Sequence, residues 1–414
     1  MLAVASSWSE LLTSGAILVA IQVLAALPWL VAVDSEGVRS VLRKPATLLA
    51  ALGFAAFAAV FLAWFMNYKN DPTVLEFYGR IYGAILQLQL AVDIPLLLIG
   101  LVLWVWPRGG TVALAAFREG YRQPMFWLLL VSTVLLMFVS MVIPYFTFGD
   151  DYKMMKQLSL DMAMLAAVLF CVLAASISVH EEIEGRTAVT LMSKPVTRRQ
   201  FLLGKFFGIL MAGLLMTLLL GIAVNVTLAI KPYFDRLEEP DDTLVAQLEA
   251  VVAPITQRLG VGAEGQALLR GTGNWLGATA ANGLCLALGF GQVMILTAVA
   301  ASLATRLPMV VNLVICLMLF FLGNLSSPLV EVTEKLRQTT PNIATNLANF
   351  LAQLMDKIVP SLQFFSNSPA VIRESVLDAR AFAVYVGSVN LYAVMYTAIA
   401  LLFGLILFED RDLA

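Results

Sequence analysis

Long apolar runs separated by short polar stretches organise the whole chain of 414 residues. A helix that crosses a bilayer needs about 20 mostly apolar residues, and about nine stretches meet that requirement. The sixth and seventh are longer than this, so we expect them to tilt, to break or to project beyond the membrane. The predicted spans are residues 14–33, 46–66, 87–106, 125–147, 158–180, 201–230, 276–304, 309–325 and 383–408.

The overall composition agrees with this pattern. Hydrophobic residues make up 60% of the chain and charged residues 13%, whereas soluble domains carry about 25% charged residues. The mean hydropathy is +0.87. The predicted fold class is therefore an all-α polytopic membrane protein with about nine transmembrane helices. A net charge of -2 gives no indication of a nucleic-acid partner.

The distribution of basic residues among the loops predicts the orientation, because Lys and Arg accumulate in cytoplasmic loops. If the amino terminus is outside, the short outer loops hold only Lys69, Arg80, Lys153 and Lys156. We therefore expect the amino terminus outside and the carboxyl terminus in the cytoplasm. The basic residues on the cytoplasmic side would then be Arg39, Arg43, Lys44, Arg108, Arg118, Arg122, Arg186, Lys194, Arg198, Arg199, Arg306 and Arg411.

The polar segment between the fifth and sixth predicted spans carries the strongest functional signal. It reads EEIEGRTAVTLMSKPVTRRQFLLGK, and three carboxylates, Glu181, Glu182 and Glu184, stand where the fifth span ends. Charges beside a membrane are costly unless they are solvated or paired. The cluster therefore suggests that these charges serve a specific purpose. The alternative is that these acids only pair locally with Arg198 and Arg199.

The same segment predicts two helices separated by a break. Ile183, Thr187 and Leu191 lie four residues apart on one face of a short amphipathic helix, which a proline ends. Thr197 and Gln200 then have the T-x-x-Q spacing of a capping box, which opens the helix of the next span.

The stretch after the third predicted span changes from apolar to amphipathic. PRGG predicts a break, and a helix is predicted over residues 111–124, ended by its final proline. Phe117 and Tyr121 lie four residues apart, while Arg118 and Arg122 share a neighbouring face. This pattern indicates a helix that lies at the membrane interface.

Two long segments, residues 231–275 and 326–382, follow the sixth and eighth predicted spans. Each contains apolar residues at helical spacing, which predicts amphipathic helices that lie on the outer membrane face or, if the chain transports a substrate, cap the transport path. The alternative is a small extracytoplasmic bundle. The two apolar faces comprise Leu244, Leu248, Val251, Val252, Ile255 and Leu259, and Ile343, Leu347, Phe350, Leu351, Leu354 and Ile358.

The segment from Glu181 to Lys205 resembles the cytoplasmic loop of the permeases of type-2 ATP-binding-cassette (ABC) exporters. The helix at 111–124 resembles the elbow helix of that class, and the tail LFGLILFEDRDLA resembles its carboxyl terminus. The residues that match the loop pattern are Glu182, Glu184, Arg186, Thr187, Leu191, Ser193, Pro195, Thr197, Arg198, Gly204 and Lys205.

This resemblance implies a six-span permease core over residues 108–414, preceded by an accessory three-span unit over residues 1–107. It also implies a coupling loop, residues 181–200, that docks on a separate ABC nucleotide-binding subunit. The residues implied to couple are Glu181, Glu182, Glu184, Arg186, Thr187, Leu191, Pro195 and Arg198, and those of the elbow helix are Phe117, Arg118, Tyr121 and Arg122.

The resemblance further implies the partners and the location. The transport path of this class lies between two six-span cores, so a homodimer or a second permease is expected, in contact with membrane lipid in the bacterial cytoplasmic (inner) membrane. No cofactor is expected on the chain itself, because ATP is bound by the partner subunit. The class handles lipids, polysaccharides, drugs and metal-related cargo, so the substrate stays open.

The sequence lacks the motifs of an ATPase or a hydrolase. It has no G-x-x-x-x-G-K-[ST] phosphate loop, no G-x-S-x-G and no H-E-x-x-H, so we expect no enzyme activity of its own. His180 is the only histidine, which argues against a His-based metal site. Cys171, Cys285 and Cys316 all lie inside predicted spans and are expected to be packing residues.

Two other functions stay open. A secondary transporter would carry ion-coupling carboxylates at mid-membrane, and Asp93 and Asp161 are the only acids inside the predicted spans. We expect Asp93 to lie near the outer end of its span or to pair with Gln87 or Gln89. The other possibility is a non-transporting membrane assembly or scaffold protein. An ABC ATPase encoded next to this gene would favour the exporter.

Overall fold

The computed structural model describes residues 8–143, 151–184, 197–235, 262–340, 342–366 and 379–409. Over these residues the chain forms twelve α-helices and one short 3-10 turn, without a β-strand. Nine of the described helices are long and apolar enough to cross a membrane, which confirms the predicted fold class. The elements are α1 (Trp8–Val33), α2 (Ser35–Arg43), α3 (Pro45–Lys69), α4 (Pro72–Val105), α5 (Pro107–Arg122), α6 (Pro124–Val142), α7 (Asp151–Glu184), α8 (Arg198–Asp235), α9 (Ala263–Leu303), α10 (Met309–Thr339), α11 (Ile343–Ile358), the 3-10 turn Leu362–Phe365 and α12 (Ala379–Glu409).

The candidate spans are all of these helices except α2, α5 and α11, and several run well beyond their predicted limits. The predicted span 87–106 belongs to α4, which begins at Pro72, and the predicted span 276–304 belongs to α9, which begins at Ala263. The predictions stopped where apolar residues stop, but helices continue through polar residues that packing supports. α8 has 38 residues, about 57 Å at 1.5 Å per residue, against a hydrocarbon layer of about 30 Å.

Single-residue linkers connect several of the first six helices. α3, α5 and α6 each carry a proline in the first turn, where its missing N–H is not needed. The residues before these prolines are Lys44, Trp106 and Gln123, and steric contact with proline disfavours helical geometry there. Helix α5 is therefore joined to a candidate span at each end by one residue.

The outer segments differ in extent from the predictions. Residues 231–235 complete α8 and residues 263–275 form the first turns of α9, so much of the first segment is part of long helices. Its predicted apolar face, from Leu244 to Leu259, lies outside the described residues. In the second segment, residues 326–339 complete α10. The predicted amphipathic helix there forms as α11.

Helix α11 exposes most of its predicted apolar face and turns polar residues toward α10. The Thr333 hydroxyl donates to Asn349 Oδ1 at 3.3 Å, and the Ser327 hydroxyl donates to Asp356 Oδ1 at 3.4 Å. These bonds place the polar side of α11 against α10. The exposed apolar residues of α11 are Ile343, Leu347, Phe350, Leu351 and Leu354.

The chain divides into two compact units that share helices. The first contains residues 1–100, 221–283 and 376–379, and the second contains the rest. The first unit therefore combines α1 to α3 and most of α4 with the end of α8 and the first half of α9. These units are not the two predicted domains, and the predicted division of accessory spans from permease core at residue 108 stays a prediction.

In the first unit, α4 and α9 approach closely at glycines. A side chain at Gly79 would collide with the backbone of Leu268, and one at Gly271 would collide with the backbone of Glu76. The Thr272 hydroxyl donates to the carbonyl oxygen of Gly79 at 3.1 Å across this contact. Small residues at a helix contact are typical of membrane proteins, where backbones must pack closely to attract one another.

A buried network of neutral polar side chains connects α4, α8 and α9 within the first unit. The Asn225 amide donates to Gln87 Oε1 at 3.1 Å and to Thr279 Oγ1 at 3.0 Å. The Trp275 indole N–H donates to the same Gln87 oxygen at 2.8 Å. The Asn282 amide donates to Asn225 Oδ1 at 2.7 Å. We call these five residues the amide network.

Candidate coupling site

The two ends of the predicted coupling loop are described, but its centre is not. Residues 185–196 lie outside the described residues, and with them Arg186, Thr187, Leu191 and Pro195. The side chain of Glu184 is also outside the description. The site is therefore built from the end of α7 and the start of α8, and the contacts that form it lie within the second compact unit.

The start of α8 forms the predicted capping box. The Thr197 N–H donates to Gln200 Oε1 at 3.1 Å, and the Gln200 N–H donates to Thr197 Oγ1 at 3.3 Å. Two backbone N–H groups at the helix start, which have no partner inside the helix, are thereby satisfied. The position at which the coupling loop ends is thus fixed by its own sequence.

A buried lysine connects the end of α7 to α8 and to α5. The Lys205 ammonium lies 2.6 Å from Glu182 Oε1 and 3.0 Å from Glu119 Oε2, and it donates to Ser178 Oγ at 2.8 Å. An ammonium has three donor hydrogens, and three acceptors surround it here. The Ser178 hydroxyl in turn donates to the Glu119 carboxylate at 3.2 Å. We call these four residues the Lys205 cluster.

Burial within the Lys205 cluster is uneven. The Lys205 side chain is 5% exposed, while that of Glu182 is 25% and that of Glu119 is 42% exposed. The ammonium group is thus buried, while the two carboxylates that pair with it stay partly exposed to solvent. A buried charge is strongly destabilising without its partner, so the two carboxylates are what allows a lysine to sit in the second turn of a span. Glu182 therefore has a structural contact as well as its predicted role in coupling.

Helix α5, the predicted elbow helix, begins earlier than expected and packs on α8. PRGG is not a break, because Pro107 occupies the first turn and the following glycines are helical and buried. The helix ends at Arg122, before Pro124, as predicted. Phe117 is buried, Tyr121 is half-buried, and Arg118 is exposed, as is Arg122.

The contact between α5 and α8 depends on residues without large side chains. A side chain at Gly204 would collide with Val112, and one at Gly208 would collide with the backbone of Ala113. These two glycines lie four residues apart on one face of α8, Gly204 directly before Lys205 and Gly208 three residues after it. Backbone proximity thus brings Glu119 within reach of Lys205.

A family model described as "ABC-2 family transporter protein" matches residues 110–413, about three quarters of the chain. The chain belongs to the ABC-2 transporter family. No curated protein and no solved structure matches it significantly. The matched range begins within α5 and contains the last six candidate spans, so this ABC-2 chain is a multi-pass membrane component of a transporter.

The start of α8 in this ABC-2 protein also holds the end of α12. Arg198 Nη1 donates to the carbonyl oxygens of Phe408 at 3.0 Å and Glu409 at 2.9 Å. Arg306 Nε donates to the carbonyl oxygen of Leu407 at 2.8 Å. The last carbonyls of a helix lack partners within it and carry partial negative charge, which suits arginine. Helix α12 is thereby tied to the residues that follow the coupling loop.

The charged residues around the loop thus have specific partners. Glu182 binds Lys205, and Arg199 lies 3.8 Å from Glu409. Glu181 is exposed at the end of α7. The alternative in which the loop acids pair only with Arg198 and Arg199 is therefore wrong for Glu182.

Glu119, Ser178 and Arg306 were not among the predicted site residues. A signal existed for one part of this arrangement, because Lys205 stands among apolar residues in FLLGKFF and an ionisable residue inside a span needs a partner. The partners lie 86 and 27 residues away for Glu119 and Ser178, so no local pattern names them.

The two intramembrane acids differ in their surroundings. Asp93 is 3% exposed, and its Oδ1 accepts no hydrogen bond from the described residues. Its expected partner Gln87 instead belongs to the amide network. Asp161 is exposed on α7. The three cysteines are all buried, as expected for packing residues.

Proposed function

We propose that this ABC-2 protein is the transmembrane subunit of an ATP-driven exporter and that it works with a separate ABC nucleotide-binding subunit. The Lys205 cluster is the observation that supports this proposal. It joins α5 to both helices that flank residues 185–196, so a force on that loop would reach three helices at once.

In the proposed mechanism, the partner subunit contacts the loop, and the Lys205 cluster transmits the displacement of the loop to the helices. The partner subunit binds residues 185–196 together with Glu181, and ATP-driven closure displaces that contact. Because Glu182 and Lys205 hold α7 and α8 together just beyond the loop, the two helices move as a pair. Arg198 passes the displacement to the end of α12. Coupling of this kind requires an element with two arrangements that both sites bias, and the joined helices are our candidate.

The coupling proposal is tested by charge reversal on the loop side of the cluster. We expect Glu181→Lys with Glu184→Lys to lower co-purification of the cognate ABC ATPase at least tenfold and to abolish its stimulation by the permease in nanodiscs. Glu182 is left intact, because its contact with Lys205 would confuse loss of coupling with loss of fold.

The matched control is Glu331→Lys with Glu334→Lys, which makes the same charge change near the carboxyl-terminal end of α10. It should leave ATPase binding unchanged. Binding that survives the loop variant at full strength contradicts the role of these acids. Purification of the native protein without any ABC ATPase contradicts the proposed function itself.

We also propose that two permease cores assemble, either as a homodimer or with a second permease. The six-span core has few polar intramembrane residues with which to line a path by itself, and the family match supports a subunit of a larger transporter. Mass photometry of the purified complex with its ATPase should give two permease chains per particle. A single permease core in an active complex contradicts this proposal.

A secondary transporter is the second candidate, and Asp93 is the observation that favours it. A buried carboxylate inside a span is a candidate ion-coupling group. If the chain transports by this route, Asp93→Asn should abolish transport in vesicles that contain no ATP. ATP-dependent transport that persists in Asp93→Asn supports the exporter instead.

A further inference from the structure

One face of α5 carries three exposed arginines, and the opposite face is buried. At 100° per residue, Arg108, Arg118 and Arg122 fall within an arc of about 80°. All three are exposed. The buried residues of α5, which include Ala113 and Phe117, lie on the other side of the helix and face the protein. The helix therefore has a basic face that its own fold does not use for packing.

These arginines have no anionic partner in the described part of the chain. No described carboxylate forms an ion pair with Arg108, Arg118 or Arg122. The acidic residue of α5 that lies nearest to this face, Glu119, binds Lys205 instead. The Arg122 guanidinium lies over the Tyr121 ring at 5.9 Å, which orients it and leaves its donors available. The basic face thus offers unmatched donors.

The connections of α5 fix its depth at the membrane surface. One residue separates it from α4 and one from α6, and both neighbours are candidate spans. Its buried side lies against Gly204 and Gly208, in the first turns of the span α8. A helix of 16 residues held in this way lies beside the headgroup layer of a bilayer.

Exposed tryptophans at both ends of α5 support the same depth. Trp104 precedes the helix and is 81% exposed, and Trp127 follows it and is 52% exposed. Tryptophan is enriched at the boundary between hydrocarbon and headgroups, where its ring is apolar and its N–H reaches polar groups. The three arginines lie between these two tryptophans in the sequence, so they are held where lipid phosphates are.

We propose that the basic face of α5 is a binding site for the phosphate headgroups of acidic phospholipids. Guanidinium groups bind phosphate oxygens in a bidentate manner. Arg118 and Arg122 are four residues apart, about 6 Å along the axis, and bind one headgroup together. Arg108 lies about 15 Å from Arg118 along the axis and binds a second lipid. Lipid binding at this site does not require the ATPase subunit, so it can be tested independently of the proposed function.

The test is the binding of lipid to the purified full-length protein. Dioleoylphosphatidylglycerol and dioleoylphosphatidylcholine are titrated into the detergent-solubilised protein, and retained lipid is counted by native mass spectrometry. We expect the native protein to retain phosphatidylglycerol selectively. Arg118→Gln with Arg122→Gln should weaken that binding about 25-fold, since each basic residue near an anionic surface contributes about fivefold.

Two further variants make the result decisive. Lys335→Gln with Arg337→Gln removes the same charge at the end of α10 and should leave the selectivity intact. Arg118→Lys with Arg122→Lys keeps the charge and should retain most of the binding, which excludes misfolding as the cause of the loss. Equal retention of the two lipids by the native protein, or equal losses in the glutamine and control variants, overturns the proposal. Displacement of the lipid by 10 mM inorganic phosphate would assign the face to soluble anions and overturn it as well.

Discussion

Two polar clusters, one in each compact unit, hold helices together with different chemistry. In the first unit, the amide network joins three helices with neutral donors and acceptors, and its key acceptor Gln87 is buried. In the second unit, the Lys205 cluster joins three helices with one cation and two anions. The carboxylates of that cluster remain partly exposed, whereas Asn225 and Asn282 are buried.

The difference follows from the cost of burying charge. A neutral amide that finds its partners costs little inside an apolar medium, while an ion costs several kcal/mol even when it is paired. Full charges therefore serve where at least one partner can reach water. A change in nearby charge can also disrupt a helix contact made of ion pairs, whereas it does not disrupt one made of neutral amide hydrogen bonds. This contrast fits the position of the Lys205 cluster beside the predicted coupling loop.

The largest effect is expected from removing both anions of the Lys205 cluster. Glu119→Gln with Glu182→Gln leaves a 5% exposed ammonium without a counter-charge and should lower the free energy of unfolding by about 3 kcal/mol. Reversible unfolding in SDS, followed by circular dichroism, measures the change.

Adding Lys205→Met to that variant provides the control. With the ammonium gone, most of the lost stability should return, because an apolar side chain replaces an unpaired ion. If the triple variant is as unstable as the double variant, the carboxylates stabilise the protein in some way other than pairing with Lys205.

A smaller effect is expected in the amide network. Gln87→Leu removes the acceptor of two hydrogen bonds, one from the Trp275 indole N–H and one from the Asn225 side-chain amide. The free energy of unfolding in the same assay should fall by about 1–2 kcal/mol. Gln89→Leu, two residues along α4, is the matched control, since Gln89 Oε1 accepts no hydrogen bond from the described residues. The control should change stability by less than about 0.5 kcal/mol. Equal losses at the two positions would show that the network adds nothing specific.

The smallest expected effect is a difference in salt dependence between the Lys205 cluster and the amide network. Raising NaCl from 0.05 M to 1 M shortens the Debye length to about 3 Å and screens the partly exposed carboxylates of the Lys205 cluster. The coupling energy between Glu119 and Lys205, measured by a double-mutant cycle, should fall by about 0.5 kcal/mol. The coupling energy between Gln87 and Asn225 should not change. Equal salt dependence of the two cycles removes the distinction between ionic and neutral joints.

Features that depend on local sequence were predictable here. The hydrocarbon layer fixes how many apolar residues a span needs, so the order and number of the candidate spans followed from the sequence alone. The capping box of Thr197 and Gln200 followed for the same reason, because its partners are three residues apart. The stop before Pro124 depends on one residue type and was predicted too.

Features that depend on packing between distant segments were not predictable. Residues 263–275 are helical because α9 packs closely on α4 at Gly79 and Gly271, a contact that no periodicity reveals. The early start of α5 at Pro107 was missed because two glycines suggested a break, whereas their small size suits close packing in the folded chain. The candidate site was only partly predictable, since its acidic cluster was evident from the sequence but the ion pair between Glu182 and Lys205 was not.

The order of residues in the Lys205 cluster has a consequence for how the protein is made. Glu119, Ser178 and Glu182 all precede Lys205 in the chain. A ribosome therefore completes all three acceptors before it adds the cation, and segments synthesised first begin to fold first. When α8 enters the membrane, the partners of its ammonium already exist. A chain with the reverse order would have to hold an unpaired lysine in a nascent span until its acceptors were translated.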